Sequence, residues 1–172
     1  MIYPKRSLVS MEQEQKGLTL INTMIVLAII GILATVAIPP AYQMYEDSQA
    51  REQVIEAMNL LDSVKNSVTE FHAANERWPT KAEFDALVPA ENGKYIASLT
   101  PLVLASGFQV TAKFRNSGVS PSLVDGGTGR TLVLATTTGQ NWICNDSKDP
   151  ENGVPGMVGG SVLPQHRPAA CR

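Results

Sequence analysis

Almost none of the residue sets that build a catalytic centre occur in this chain. Its 172 residues include only two histidines, His72 and His166, and two cysteines, Cys144 and Cys171. The cysteines do not form a CxxC, and the histidines are not spaced with them as zinc ligands. No nucleophile stands with a base, and no pair of carboxylates is set for acid–base work. The sequence therefore points away from an enzyme, and no catalytic residue, metal or cofactor is expected. Long runs of one charge are also missing. The net charge is −2, so nothing obliges a polyanionic partner, and no charged block reads as a disordered tail. Gly126-Gly127-Thr128-Gly129-Arg130 lacks the Gly-Lys-Ser/Thr ending of a phosphate loop and reads as a turn. Trp78 and Trp142 read as packing residues, and the two histidines as structural or solvated ones.

What the chain does have is one long apolar run. Leu18 to Ile38 carries no charged residue, and its polar side chains are Thr19, Asn22, Thr23 and Thr35. As a helix it spans about 31 Å, the thickness of a bilayer core. A secretory signal would be followed by small residues and a cut, and none precedes Pro39. The plausible cut lies before the run, at Gly17, so the apolar segment stays on the mature protein. Lys5, Arg6 and Lys16 precede it, and Glu46 and Asp47 follow. That asymmetry places the N-terminus in the cytoplasm and the C-terminal part outside. Pro39 and Pro40 are expected to kink or locally melt the helix.

Beyond Pro40 the pattern becomes one-sided. Ala50, Val54, Met58, Leu61, Val64, Val68 and Phe71 recur every three or four residues, one helical face. Glu52, Gln53, Glu56, Asn59, Asp62, Lys65, Asn66 and Glu70 are assigned to the solvated face. The helix is expected to run to about Ala74. Thr80-Lys81-Ala82-Glu83 is a capping box that opens a short helix ending at Pro89. A turn is expected at 91–93. Strands are expected at 94–99, 108–114, 131–136 and 141–144, with turns at 116–118 and 125–129. Residues 146–168 read as a loop without regular structure. With an export signal, Cys144 and Cys171 read as one disulfide closing a loop of 28 residues, both cysteines counted. Two buried thiols are the alternative. The fold class is α+β: a long N-terminal helix packed on a four-stranded antiparallel sheet, with a disulfide-closed C-terminal loop. The expected organisation is 1–17 leader, 18–39 apolar helix, 40–74 amphipathic helix and 75–172 head.

Together these residues resemble the type IV pilins, most closely the type IVa subgroup. The likeness is dense from Gly17 to about Glu52, through Gly17–Ile21, Met24–Ala34 and Ala37–Pro39, and returns in the tail from Trp142 to Arg172. It implies that a prepilin peptidase cuts between Gly17 and Leu18 and methylates the new amine. It implies a homo-oligomeric filament, with Leu20, Ile21, Asn22, Thr23, Gly31 and Pro39 in the assembly helix. An inner-membrane assembly platform is a further implied partner. The localisation implied is a single-pass inner-membrane protein that becomes part of an extracellular pilus serving adhesion, twitching motility or DNA uptake. Alternative readings are a minor or competence pilin that primes assembly or binds DNA, and a type II secretion pseudopilin, against which the disulfide speaks. A DNA strip would draw on Lys94, Lys113, Arg115, Arg130, Lys148, Arg167 and Arg172, but Asp125, Asp146, Asp149 and Glu151 are interleaved. The chain departs from the family where a glutamate is usual and Asn22 stands, followed by Thr23 in place of an apolar residue. Pro40 stands where the family often has alanine. A 17-residue leader is long for type IVa, and Met11 offers a start that would shorten it.

Overall fold

The computed structural model describes residues 9–88, 93–144 and 153–171; of 9–18, 37, 39–41 and 170 only the backbone is described. The chain divides into two units, 1–44 and 45–172. Helix α1 covers Val9–Asn75. The backbone is helical at Pro39 and Pro40, which corrects the expected local melting. Each proline removes one N–H but holds φ at a helical value, so two in succession cost hydrogen bonds without dictating a break.

The first unit holds the window Thr19–Val36, with mean hydropathy 2.3 and none of it buried, long and apolar enough to cross a membrane. In the second unit, Ala50, Val54, Ala57, Leu61, Val64 and Val68 of α1 are buried. That spacing of three and four is the stripe expected of a one-sided helix. The stripe shares a core with Phe108, Val110, Ala112 and Phe114 of one strand and Leu132 and Leu134 of another. α1 ends where Glu76 enters the left-handed region at φ 54° and donates its N–H to His72 O. Helix α2 covers Lys81–Leu87 and seats Phe84 in the same core.

Strands β1 (Ile96–Leu104), β2 (Gly107–Phe114), β5 (Thr131–Thr136) and β6 (Trp142–Cys144) form one antiparallel sheet in the order β1-β2-β5-β6. Strands β3 (Val124–Asp125) and β4 (Thr128–Gly129) make a separate small hairpin. Gly126 and Gly127 turn it, both at positive φ, which confirms a turn rather than a phosphate loop. Gly129 has a second constraint: a Cβ there would lie 1.9 Å from Phe114 O.

Further expectations are corrected. β1 was expected to stop at 99 but continues to Leu104 through Pro101, which pairs with Val110. A proline is tolerated because β1 is an edge strand, where one N–H need not pair. Gln53 was assigned to solvent but is buried, its Oε1 accepting the Ser120 N–H at 2.8 Å. Within 153–171 two short 3-10 turns, Pro164–His166 and Ala169–Cys171, interrupt the expected irregular loop. α2 was expected to end at Pro89 but stops at Leu87, with Val88 already extended as its C-cap; the turn at 91–92 and residues 145–152 of the loop lie outside the described residues.

Candidate assembly surface and head

The assembly residues named from sequence all lie on α1. Leu20, Ile21, Asn22, Thr23 and Gly31 are exposed; Gly17, Leu18 and Pro39 belong to the helix by backbone alone. At 100° per residue, Asn22 shares its face with Val26, Ile29, Leu33 and Val36 and stands opposite Gly31. Two of the hydroxyls on this apolar helix are quenched locally. Thr23 Oγ1 donates to Leu20 O at 2.8 Å and Thr35 Oγ1 to Ile32 O at 2.7 Å. A threonine satisfied within its own helix costs little in lipid or against another helix. Nothing stands within 4 Å of a Cβ built on Gly31, so that position is open to a close neighbour.

The head is tied together by contacts that local pattern does not reveal. Ser120 Oγ donates to Glu46 O at 3.2 Å, beside the Gln53 bond. Buried Gln109 clamps the backbone of Val158: its Oε1 accepts the Val158 N–H at 2.9 Å and its Nε2 donates to Val158 O at 3.2 Å. That segment covers the outer face of β2 and β5, so Gln109, Val133 and Ala135 are buried where plain alternation would expose them. His166 is buried with Nε2 2.8 Å from Asp47 Oδ1, and Arg51 Nε donates to Gln165 O at 2.9 Å. His72 lies against Trp78, with ring centroids 3.8 Å apart. Both histidines thus serve structure. Cys144 and Cys171 are bonded, closing the tail onto β6.

Among the described cations, Arg130 and Arg167 are engaged within the head. Arg130 reaches Asp125, Ser122 O and Ser161 O, and Arg167 Nε donates to Val162 O. Lys94 lies over the Tyr95 ring. Lys113 and Arg115 line a shallow surface concavity with Ser98 and Asn116. Lys148 and Arg172 lie outside the described residues.

The capping box forms as expected. The amide and hydroxyl of Thr80 both donate to Glu83 Oε2, at 2.9 and 2.8 Å, and Arg77 grips the same carboxylate with its two terminal guanidinium nitrogens. Arg77, then the Thr80 amide and hydroxyl, hold the Glu83 carboxyl well below its ordinary 4.5. A depressed carboxylate stabilises the fold above its unfolded value, and that contribution is lost as pH falls through the folded one. The stability gap between wild type and Glu83→Gln is therefore full at neutral pH and closes progressively below about 4.5. Urea midpoints of both chains at pH 7, 4 and 2.5 check this; a gap constant across that range would contradict it.

An apolar helix left bare, an amphipathic continuation under a four-stranded antiparallel sheet, and a disulfide-closed tail define the pilin fold. A family model described as Pilin (bacterial filament) matches residues 50–172. The chain is 36% identical over 142 residues to the fimbrial protein EcpC of Eikenella corrodens, covering 81% of this chain and 88% of that protein. It is 34% identical over 165 residues to a type IV major pilin protein PilE1 of Neisseria gonorrhoeae, covering 92% and 94%. To a fimbrial protein of Neisseria meningitidis serogroup B it is 32% identical over 173 residues, with the same coverage. The chain belongs to the pilin family and is a type IV pilin. It is a structural subunit of a pilus filament, carried on a membrane-anchored N-terminal helix, and not an enzyme.

Proposed function

We propose that the chain is made as a prepilin whose residues 1–17 are a leader, cut between Gly17 and Leu18 by a prepilin peptidase. Residues 18–39 then hold it in the inner membrane with the head outside. An assembly platform moves the helix from lipid into the filament core, where Leu20, Ile21, Asn22, Thr23, Gly31 and Pro39 meet neighbouring copies. The observation that carries this is the window Thr19–Val36, which is strongly apolar and unburied by its own chain. Such a surface is satisfied equally by lipid tails and by identical helices, so transfer between them is nearly balanced in free energy. The assembled filament serves adhesion, twitching motility or DNA uptake. DNA binding by the head has the weaker support, because Arg130 and Arg167 are already engaged.

The test is the N-terminal residue of subunits sheared from cells. Leu18 is expected, with its amine free or methylated. Retention of Met1 or Met11 in cells with an active peptidase would overturn the processing step.

A further inference from the structure

The head exposes a second apolar surface. Leu102 is 42% exposed, Val103 55% and Val158 61%. Leu102 and Val103 lie on β1, beside the two-residue turn at Ala105 and Ser106. Leu102 pairs with Gln109, which clamps the Val158 backbone, so Leu102 and Val158 come to the same outer face. Val103 shows on the other face of the same edge. Exposed apolar side chains on a free strand edge invite association and are normally blunted by charge or covered. Within Ile96–Leu104 there is no charged residue.

The position of this patch in the head matters. Phe108, one residue into β2, stacks on Trp78 at 5.4 Å, and Trp78 lies against His72 in the last turn of α1. The hairpin tip therefore marks the end of the head that carries the C-terminus of α1. At the head's opposite end stands Tyr45, 61% exposed, its hydroxyl accepting from Gln49 Nε2. About 45 Å of helix separates Tyr45 from Asn75, so the two surfaces do not cover each other. Tyr45 continues in sequence the exposed apolar positions of the assembly helix, from Leu20 through Ile38, Tyr42 and Met44.

We propose that the hairpin tip, formed by Leu102, Val103 and Val158, packs against the Tyr45 end of the head of another copy of this chain. This rests on the filament reading above and adds a second contact to it. In a filament all subunits point one way, so the far end of one head faces the near end of another. Two different patches at opposite ends give a heterologous contact, which propagates as an open helix instead of closing into a dimer.

Filaments carrying Val103→Cys together with Tyr45→Cys are treated with a short flexible bismaleimide and run on denaturing gels. A ladder of covalent multimers is expected from the pair and none from either single variant. Intact filaments that run as monomers overturn the contact and leave the assembly reading standing. A ladder from Val103→Cys alone overturns it too, because that requires like patches to meet. Absence of filaments from wild-type cells defeats the assembly reading itself, and this contact with it. Leu102→Asp with Val103→Asp alters only exposed side chains and leaves the cellular amount of subunit unchanged. It should lower the sheared filament yield about fivefold, a modest loss of contact energy at each joint. Unchanged yield with lost binding to host cells would assign the patch to a foreign protein and overturn the proposal.

Discussion

Cys144→Ser or Cys171→Ser is expected to destabilise the head by about 3–4 kcal/mol. The chain-entropy part follows from the loop: cysteines 27 apart in sequence are held together, which removes many unfolded conformations. A structural part adds to it. Cys171 is buried beside Met58, sulfur to sulfur 3.8 Å, and Cys144 ends a strand of only three residues. The bond thus secures the weakest edge of the sheet to the helix. It also retains the segment that supplies Val154, Val162 and His166 to the interior. Freed, that segment would expose Gln109, Val133 and Ala135 on the outer sheet face. The two single variants and the double variant should lose the same stability, because all three remove one bond. Urea denaturation gives the comparison. A loss below about 1 kcal/mol would show that the tail is held by its other contacts alone. Filaments should fall in parallel, since an unfolded head is degraded before assembly.

The parts legible in the sequence are those governed by neighbours within a few residues. The α1 stripe from Ala50 to Val68 follows helical period, the Thr80–Glu83 box follows capping chemistry, and the β3–β4 turn follows from two adjacent glycines. With only two cysteines and an export signal, the bridge needed no long-range information. What escaped depends on distant partners. Gln53 lies in a polar-looking row but bonds Ser120, 67 residues away. Gln109 bonds Val158, 49 residues away, and His166 meets Asp47 across 119. No local pattern encodes such pairs. β1 was cut short for another reason. Pro101 signals a break unless the strand is known to lie at an edge, and that is a property of the sheet, not of the segment. The apolar window Thr19–Val36 was legible because it depends on composition alone. What Asn22 meets in a filament was not, because one chain's sequence does not name a contact made between chains.

Asn22→Glu is expected to raise the number of surface filaments about tenfold, equivalent to about 1.4 kcal/mol per docking step. With the proposed cut after Gly17, the new amine would sit on Leu18, one helical turn from Asn22 and on the same face. An ammonium in an apolar filament core is costly unless an opposite charge or strong acceptors meet it. Asn22 offers a neutral oxygen, whereas a carboxylate offers a charge-assisted bond roughly twice as strong. The gain is not free. A glutamate at 22 must be carried in the bilayer before assembly, at a cost that its own terminal amine partly offsets. The net effect is a gain only if the pair is better formed between copies than within one. Asn22→Gln separates charge from reach: it lengthens the side chain without ionising, and should leave filament number near wild type. Asn22→Leu removes the acceptor and should reduce filaments. Counting sheared filaments against total subunit for all three variants gives the result. If Glu and Gln act alike, side-chain length governs docking and charge does not. If Leu matches wild type, the amine is satisfied elsewhere, and position 22 does not set the strength of the joint between subunits.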